Sequence, residues 1–122
     1  MGLTIALAQA TLDSLFPTTG ASDYIGYSTN GTSEFANLTR TPIGATGWAA
    51  ATATDPAIKA NNTVLTSATV TTTGGTITHY AIYTAPTGGT IRSDWQTLDN
   101  PRALSVGDST QWATGACKIA MT

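Results

Sequence analysis

The single histidine, His79, and seven carboxylates (Asp13, Asp23, Glu34, Asp55, Asp94, Asp99 and Asp108) are the side chains with which this chain could do acid–base chemistry. A nucleophilic triad needs the imidazole in register with a hydroxyl and an orienting acid. Serines and acids are plentiful, but no Gly-x-Ser-x-Gly elbow supports such a set. His79 stands between Thr78 and Tyr80 in a strand-like run. The expected role there is a buried or cross-strand ring bonded to a hydroxyl. A glycosidase needs two facing carboxylates. Asp55, Asp99 and Asp108 instead sit in turn contexts, where Asp bonds its local backbone. One Cys and one His do not make a zinc site, and no EF-hand spacing of Asp occurs. Gly74-Gly75 and Gly88-Gly89 lack the Lys-Ser/Thr that follows a phosphate loop. The expectation is a protein that is not an enzyme and takes no metal or cofactor.

Other residue types point to binding rather than reaction. Trp48, Trp95 and Trp112 could stack on sugar rings, although Trp in a small β domain more often anchors a core or an interface. The sequons at Asn30, Asn37 and Asn61 matter only in a secreted eukaryotic protein. Cys117 is alone, which excludes an intrachain disulfide, and is expected to behave as a small buried apolar residue.

Composition narrows the partners. The chain has 122 residues, a length that favours one domain. Its apolar content of 41% is ordinary, but its charged content of 10% is well below the roughly 25% usual in soluble proteins. Such a surface is read as one covered by neighbouring protein; a small secreted β domain is the other reading. Arg40, Lys59, Arg92, Arg102 and Lys118 are scattered, so no nucleic-acid partner is expected. No apolar run is long enough to span a bilayer. The N-terminal stretch lacks a basic n-region, and Ala6 stands where myristoylation wants Ser or Thr. The expectation is synthesis in the host cytoplasm with no targeting address.

The elements follow from periodicity. Residues 3–16 carry Leu3, Ile5, Leu7, Leu12, Leu15 and Phe16 at three- and four-residue spacings and predict a helix, stopped by Pro17 and Gly20. It either packs on its own domain or forms an arm that docks on a neighbour. Asp23–Ser28 predicts a strand, Thr29–Thr32 a turn, and Phe35–Ile43 the returning strand, with Pro42 at an edge. Gly44–Ala60 predicts mostly loop anchored by Trp48, and Val64-Leu65 starts another strand. Thr69–Thr72 and Thr76–Tyr83 flank Gly74-Gly75 and predict a hairpin, followed by a turn at Ala85–Gly89 and a third strand at Thr90–Arg92. Asp99–Pro101 and Gly107-Asp108 predict turns. Gln111–Ala113 predicts a short strand, Gly115 a bend, and Cys117–Met121 the closing strand. The fold class is all-β, an antiparallel sandwich or barrel-like body over 21–122, with a helix or arm over 1–20.

This order of segments resembles short virion proteins of tailed bacteriophages, the head decoration (cement) and minor tail or tail-fibre proteins. The resemblance is carried by helix 3–16, DYIGYSTNGT (23–32), FANLTRTPIG (35–44), the Trp48 region, Asn62–Val70, GGTITHYAIYTAPTGGTI (74–91) and VGDSTQWATGACKIAMT (106–122). It implies a non-enzymatic structural role. The first expectation is a cement protein on the capsid surface, with the major capsid protein as partner and self-association, a trimer at a local threefold, as its assembly. A minor tail or fibre component and a carbohydrate-binding module are the alternatives. The interface residues expected are Leu3, Leu7, Leu15 and Phe16 on the helix, and the surroundings of Trp48 and Trp95.

Overall fold

The computed structural model describes residues 4–16, 23–44, 48–54 and 57–121. One helix, α1 (Ile5–Leu15), is followed by β1 (Tyr24–Ser28), β2 (Thr41–Pro42), β3 (Ala57–Ala60), β4 (Leu65–Thr66), β5 (Gly75–Tyr83), β6 (Gln96–Leu104), β7 (Gln111–Trp112) and β8 (Lys118–Met121). The fold is all-β with an N-terminal helix, and the registered strand pairs are antiparallel. The chain clusters into two compact units. Unit 1 takes residues 1–22, 43–65 and 112–122; unit 2 takes 23–42 and 66–111.

In unit 1, α1 begins where Thr4 accepts the Leu7 N–H on its hydroxyl, a side-chain N-cap. Ala8, Leu12 and Phe16, at four-residue spacing, form the buried row, and the helix packs against β3 and β8. The expected stripe is therefore rotated: Ile5, Leu7 and Leu15 are exposed. Leu3 and the stop signals Pro17 and Gly20 lie outside the described residues. β3 pairs with β8 from Ala57↔Met121 to Ala60↔Lys118. Along the segment expected to be loop, residues 48–52 run beside β3, through the Trp48–Asn61 bridge and the Ala49–Ala60 and Thr52–Ile58 hydrogen bonds. Trp48 and Phe16 meet edge to face, 5.4 Å between ring centres.

Asn61 ties the closing segment down. Its side-chain amide donates to the carbonyls of Thr63 (2.8 Å) and Ala113 (2.9 Å) and accepts the Cys117 N–H (2.9 Å). Its own N–H and C=O bond Cys117 and Gly115. The amide is buried and fully occupied, so the Asn61 sequon is a structural hub.

Unit 2 is built on a four-stranded sheet in the order β2-β1-β5-β6. In the register of β1 against β5, Ile25 faces Ile82 and Tyr27 faces Tyr80, all buried. Pairing on alternate positions puts these four side chains on one face of the sheet. Pro42 does lie in the edge strand β2. The rest of Phe35–Ile43 is bends and turn, so the connection from β1 to β2 is a long loop rather than a tight hairpin.

Three further expectations are corrected. Thr69–Thr72 is not a strand: the Val70 N–H donates to Asp108 and its carbonyl accepts from Gly107. Gly74-Gly75 is not a hairpin turn. Gly75 opens β5, and Gly74 is small because a Cβ there would lie 2.4 Å from the Leu104 carbonyl. Thr90–Arg92 forms no extended strand but meets the end of β5 at the Tyr83–Ile91 bridge, with the Arg92 N–H donating to Ile82 and the Thr84 N–H to Thr90. On the side away from β1, β5 pairs with β6, which contains Asp99-Asn100-Pro101. Between the Ile77↔Arg102 and His79↔Thr97 pairs, residues 98–101 stand opposite Thr78 alone. The turn-forming residues thus make a bulge inside a strand, where a proline without an N–H is tolerated.

Asn61→Ala is expected to lower stability by about 1–3 kcal/mol, because it strands the buried Cys117 N–H and removes the bonds to two part-buried carbonyls. A urea melt with fluorescence detection checks this; a change within ~0.5 kcal/mol, typical of surface sites, would refute the hub.

Candidate functional site

The expected interface residues separate once placed. Phe16 and Trp48 are internal to unit 1, so their rings offer almost no surface. Leu7 (52% exposed) and Leu15 (45%) stand with the half-buried Thr11 on one i, i+4, i+8 row of α1, which flanks its buried row about a quarter turn away. Among the described residues of the helix, Asp13 is the one charged side chain. An apolar outer row left exposed beside the buried one widens the stripe beyond what unit 1 covers, which is unusual for a solvated surface.

Asp13 is also engaged. Its Oδ1 accepts from Lys59 Nζ at 2.6 Å and from the Ala51 N–H at 2.9 Å. Lys59 is fully buried, whereas the Asp13 side chain is 39% exposed. The ammonium, with its four-carbon stem inside unit 1, reaches the carboxylate at the surface. The Lys59 hydrogen bond, helped by the Ala51 amide, holds the Asp13 carboxyl below the usual carboxylate range. Gln9 donates to the Ala51 carbonyl at 2.9 Å, so two polar residues of α1 grip the same loop.

In unit 2 the corresponding centre is Arg40. Its Nε and Nη2 donate to the two oxygens of Glu34 at 2.7 and 2.9 Å, and Nη1 donates to the carbonyls of Ala85 (2.8 Å) and Gly88 (2.7 Å). The guanidinium carbon lies 3.6 Å from the centre of the Tyr83 ring, a cation–π stack. Trp95 meets the same ring edge to face at 6.1 Å. Tyr83 lies over β1 at Gly26, where a Cβ would come within 2.5 Å of the ring. The Glu34 bond raises the pKa of Arg40. Burial, reinforced by the charge of Glu34, raises that of Tyr83. Arg92 pairs with Asp23 nearby in sequence to β1.

These arrangements hold surfaces in place. His79 shares a 2.7 Å hydrogen bond with the Thr78 hydroxyl, as the strand position suggested. Cys117 is fully buried, and burial pushes its thiol pKa far up. Among the described residues, no three His, Cys, Asp or Glu side chains gather as metal ligands would. Trp48 and Trp112 are buried and Trp95 is half-buried, so the exposed tryptophan pair that a sugar platform calls for is not formed. The sequence reading passed over Arg40, Lys59 and Asn61. The available signal was scarcity: with five basic residues in 122, a base inside an apolar run (Ala-Ile-Lys-Ala) is a candidate for burial with a partner.

Residues 4–120 match the family model described as Podophage GP4 fiber I protein gp80. No curated protein matches the chain. The match covers nearly the whole chain, which therefore belongs to this family of phage structural proteins.

Arg40→Met is expected to cost about 2–4 kcal/mol, somewhat under the ~3–5 of a wholly buried pair because Glu34 keeps 29% exposure. Limited proteolysis should then cut within 85–89. Acid should also weaken the Asp13–Lys59 tie. A depressed folded pKa gives stability that is full above the unfolded value near ~4 and is lost as pH falls through the folded one. Melts from pH 6 downward should thus show a steeper acid limb for the wild type than for Asp13→Asn; superimposable limbs would refute the tie.

Proposed function

We propose that this member of the gp80 fibre family is a non-enzymatic structural component of the tail of a short-tailed phage. The observation that carries the reading is the family match over residues 4–120. It favours the tail-fibre alternative over the capsid-decoration expectation. The decoration reading, with the major capsid protein as partner, retains the low surface charge as its support. That feature suits any tightly assembled virion part.

In this reading the chain works by contact. The clamps on Arg40 and Lys59 hold loops in place, and the outer row of α1 is the surface by which the protein joins other chains, further copies of itself included. Covering the exposed half of Leu7 and of Leu15 in an assembly would each contribute about 1 kcal/mol, and no charge on that row opposes burial. A trimer is one such assembly.

Imaging of virions carrying a labelled copy tests the location. Label at the tail is the expected result; regular label over the head, or saturable binding to isolated undecorated heads, would return the cement reading. Leu7→Asp with Leu15→Asp should leave the circular dichroism and melt of the isolated chain nearly unchanged while abolishing its incorporation into particles. Full incorporation of the double variant would remove α1 from the interface.

A further inference from the structure

The loop after β1 holds a chemically labile dipeptide. Asn30-Gly31 is the chain's one Asn–Gly pair. In an open chain such a pair converts by itself, because no Cβ on the glycine shields its amide nitrogen. That nitrogen loses its proton to solvent base and attacks the Asn Cγ. A C–N bond forms, the side-chain nitrogen leaves as ammonia, and a succinimide results. Water then opens the ring to an aspartyl or isoaspartyl residue; no electrons are exchanged.

Here the reacting atoms are tied. The Gly31 N–H, whose proton must leave, donates to Ser28 Oγ at 2.9 Å. The Asn30 N–H donates to the same oxygen at 3.1 Å, and that hydroxyl gives its own proton to the Ser33 carbonyl at 2.6 Å. Ser28 is fully buried, so one hydroxyl uses its donor and both lone pairs inside the loop. The Asn30 side chain is held as well. Its Oδ1 accepts from the Thr32 and Ser33 N–H groups (2.9 and 3.1 Å) and the Thr32 hydroxyl (3.0 Å), and its Nδ2 donates to Ser33 Oγ (3.3 Å). Gly31 has a φ of 77°, and a Cβ there would lie 2.9 Å from His79 Nε2. With Gly31 packed against the imidazole and both its N–H and the Asn30 carboxamide bonded within the loop, the amide cannot swing onto Cγ until the loop opens.

We propose that Asn30-Gly31 is a latent deamidation site, held shut in the folded protein by the Ser28 hydroxyl and released when the loop 28–33 opens. Conversion is therefore a one-way record of local opening. It replaces the Asn30 amide with a carboxylate that cannot donate to Ser33, and the isoaspartyl product lengthens the backbone of the loop at residue 30.

The experiment incubates the intact chain at mildly alkaline pH and follows, by mass spectrometry, the amide-to-carboxyl conversion in the peptide that carries Asn30. The folded wild type is expected to convert roughly tenfold or more slowly than the same chain in urea, since attack waits on local opening. Folded Ser28→Ala should convert several-fold faster than the folded wild type. Equal rates for the wild type with and without urea would overturn the proposal. So would a folded Ser28→Ala that converts no faster. Should that variant fail to fold, hydrogen exchange in the wild type decides: a protected Gly31 amide supports the latch, and an unprotected one overturns it.

Discussion

A guanidinium removed from water must find acceptors for its protons, and unit 2 is arranged around that requirement. Arg40 is almost wholly covered. Its acceptors come from the loop between β1 and β2 (Glu34) and from the turn after β5 (Ala85 and Gly88). Breaking any of these contacts would leave a buried charge or carbonyl unsatisfied, which costs more than the contact itself contributes. Tyr83, stacked beneath the guanidinium and over Gly26, joins the clamp to the sheet. The ordering of two long irregular segments is thereby made conditional on one side chain.

Unit 1 solves the same problem with fewer parts. Lys59 alternates with Ile58 and Ala60 on β3, and its inward position would be forbidden without Asp13 at the end of its reach. Because Asp13 is on α1, the ion pair fixes which side of the helix faces β3. That accounts for the burial of Ala8, Leu12 and Phe16 rather than of Leu7 and Leu15. Asn61, one residue past β3, gives the closing segment its path by accepting and donating at once.

Three internal ion pairs engage Asp13, Asp23, Glu34, Arg40, Lys59 and Arg92, so few charges, Asp94, Arg102, Asp108 and Lys118 among the described residues, stand exposed on a surface otherwise rich in hydroxyls and isolated apolar side chains. Such a surface has little long-range field with which to steer or repel partners. Recognition would then depend on shape and on apolar contact over a rigid backbone. This is in keeping with a part assembled once into a fibre rather than one exchanging partners in solution.

The sequence by itself determined the composition of the elements. Periodicity specifies α1, β-branched and aromatic runs specify β1 and β5, and Gly107 and Gly115, both at positive φ, mark bends. These are local properties, set by backbone sterics and by propensity within a few residues. The tertiary structure alone decided the pairing. Which strand lies beside β5 depends on long-range hydrogen bonding, so Asp99-Asn100-Pro101, a turn by every local criterion, became a bulge in β6. The rotation of α1, the inward turn of Lys59 and the clamp at Arg40 were equally illegible. Each depends on a partner separated by many residues along the chain, and the free energy of burying a charge is defined only once that partner is in place.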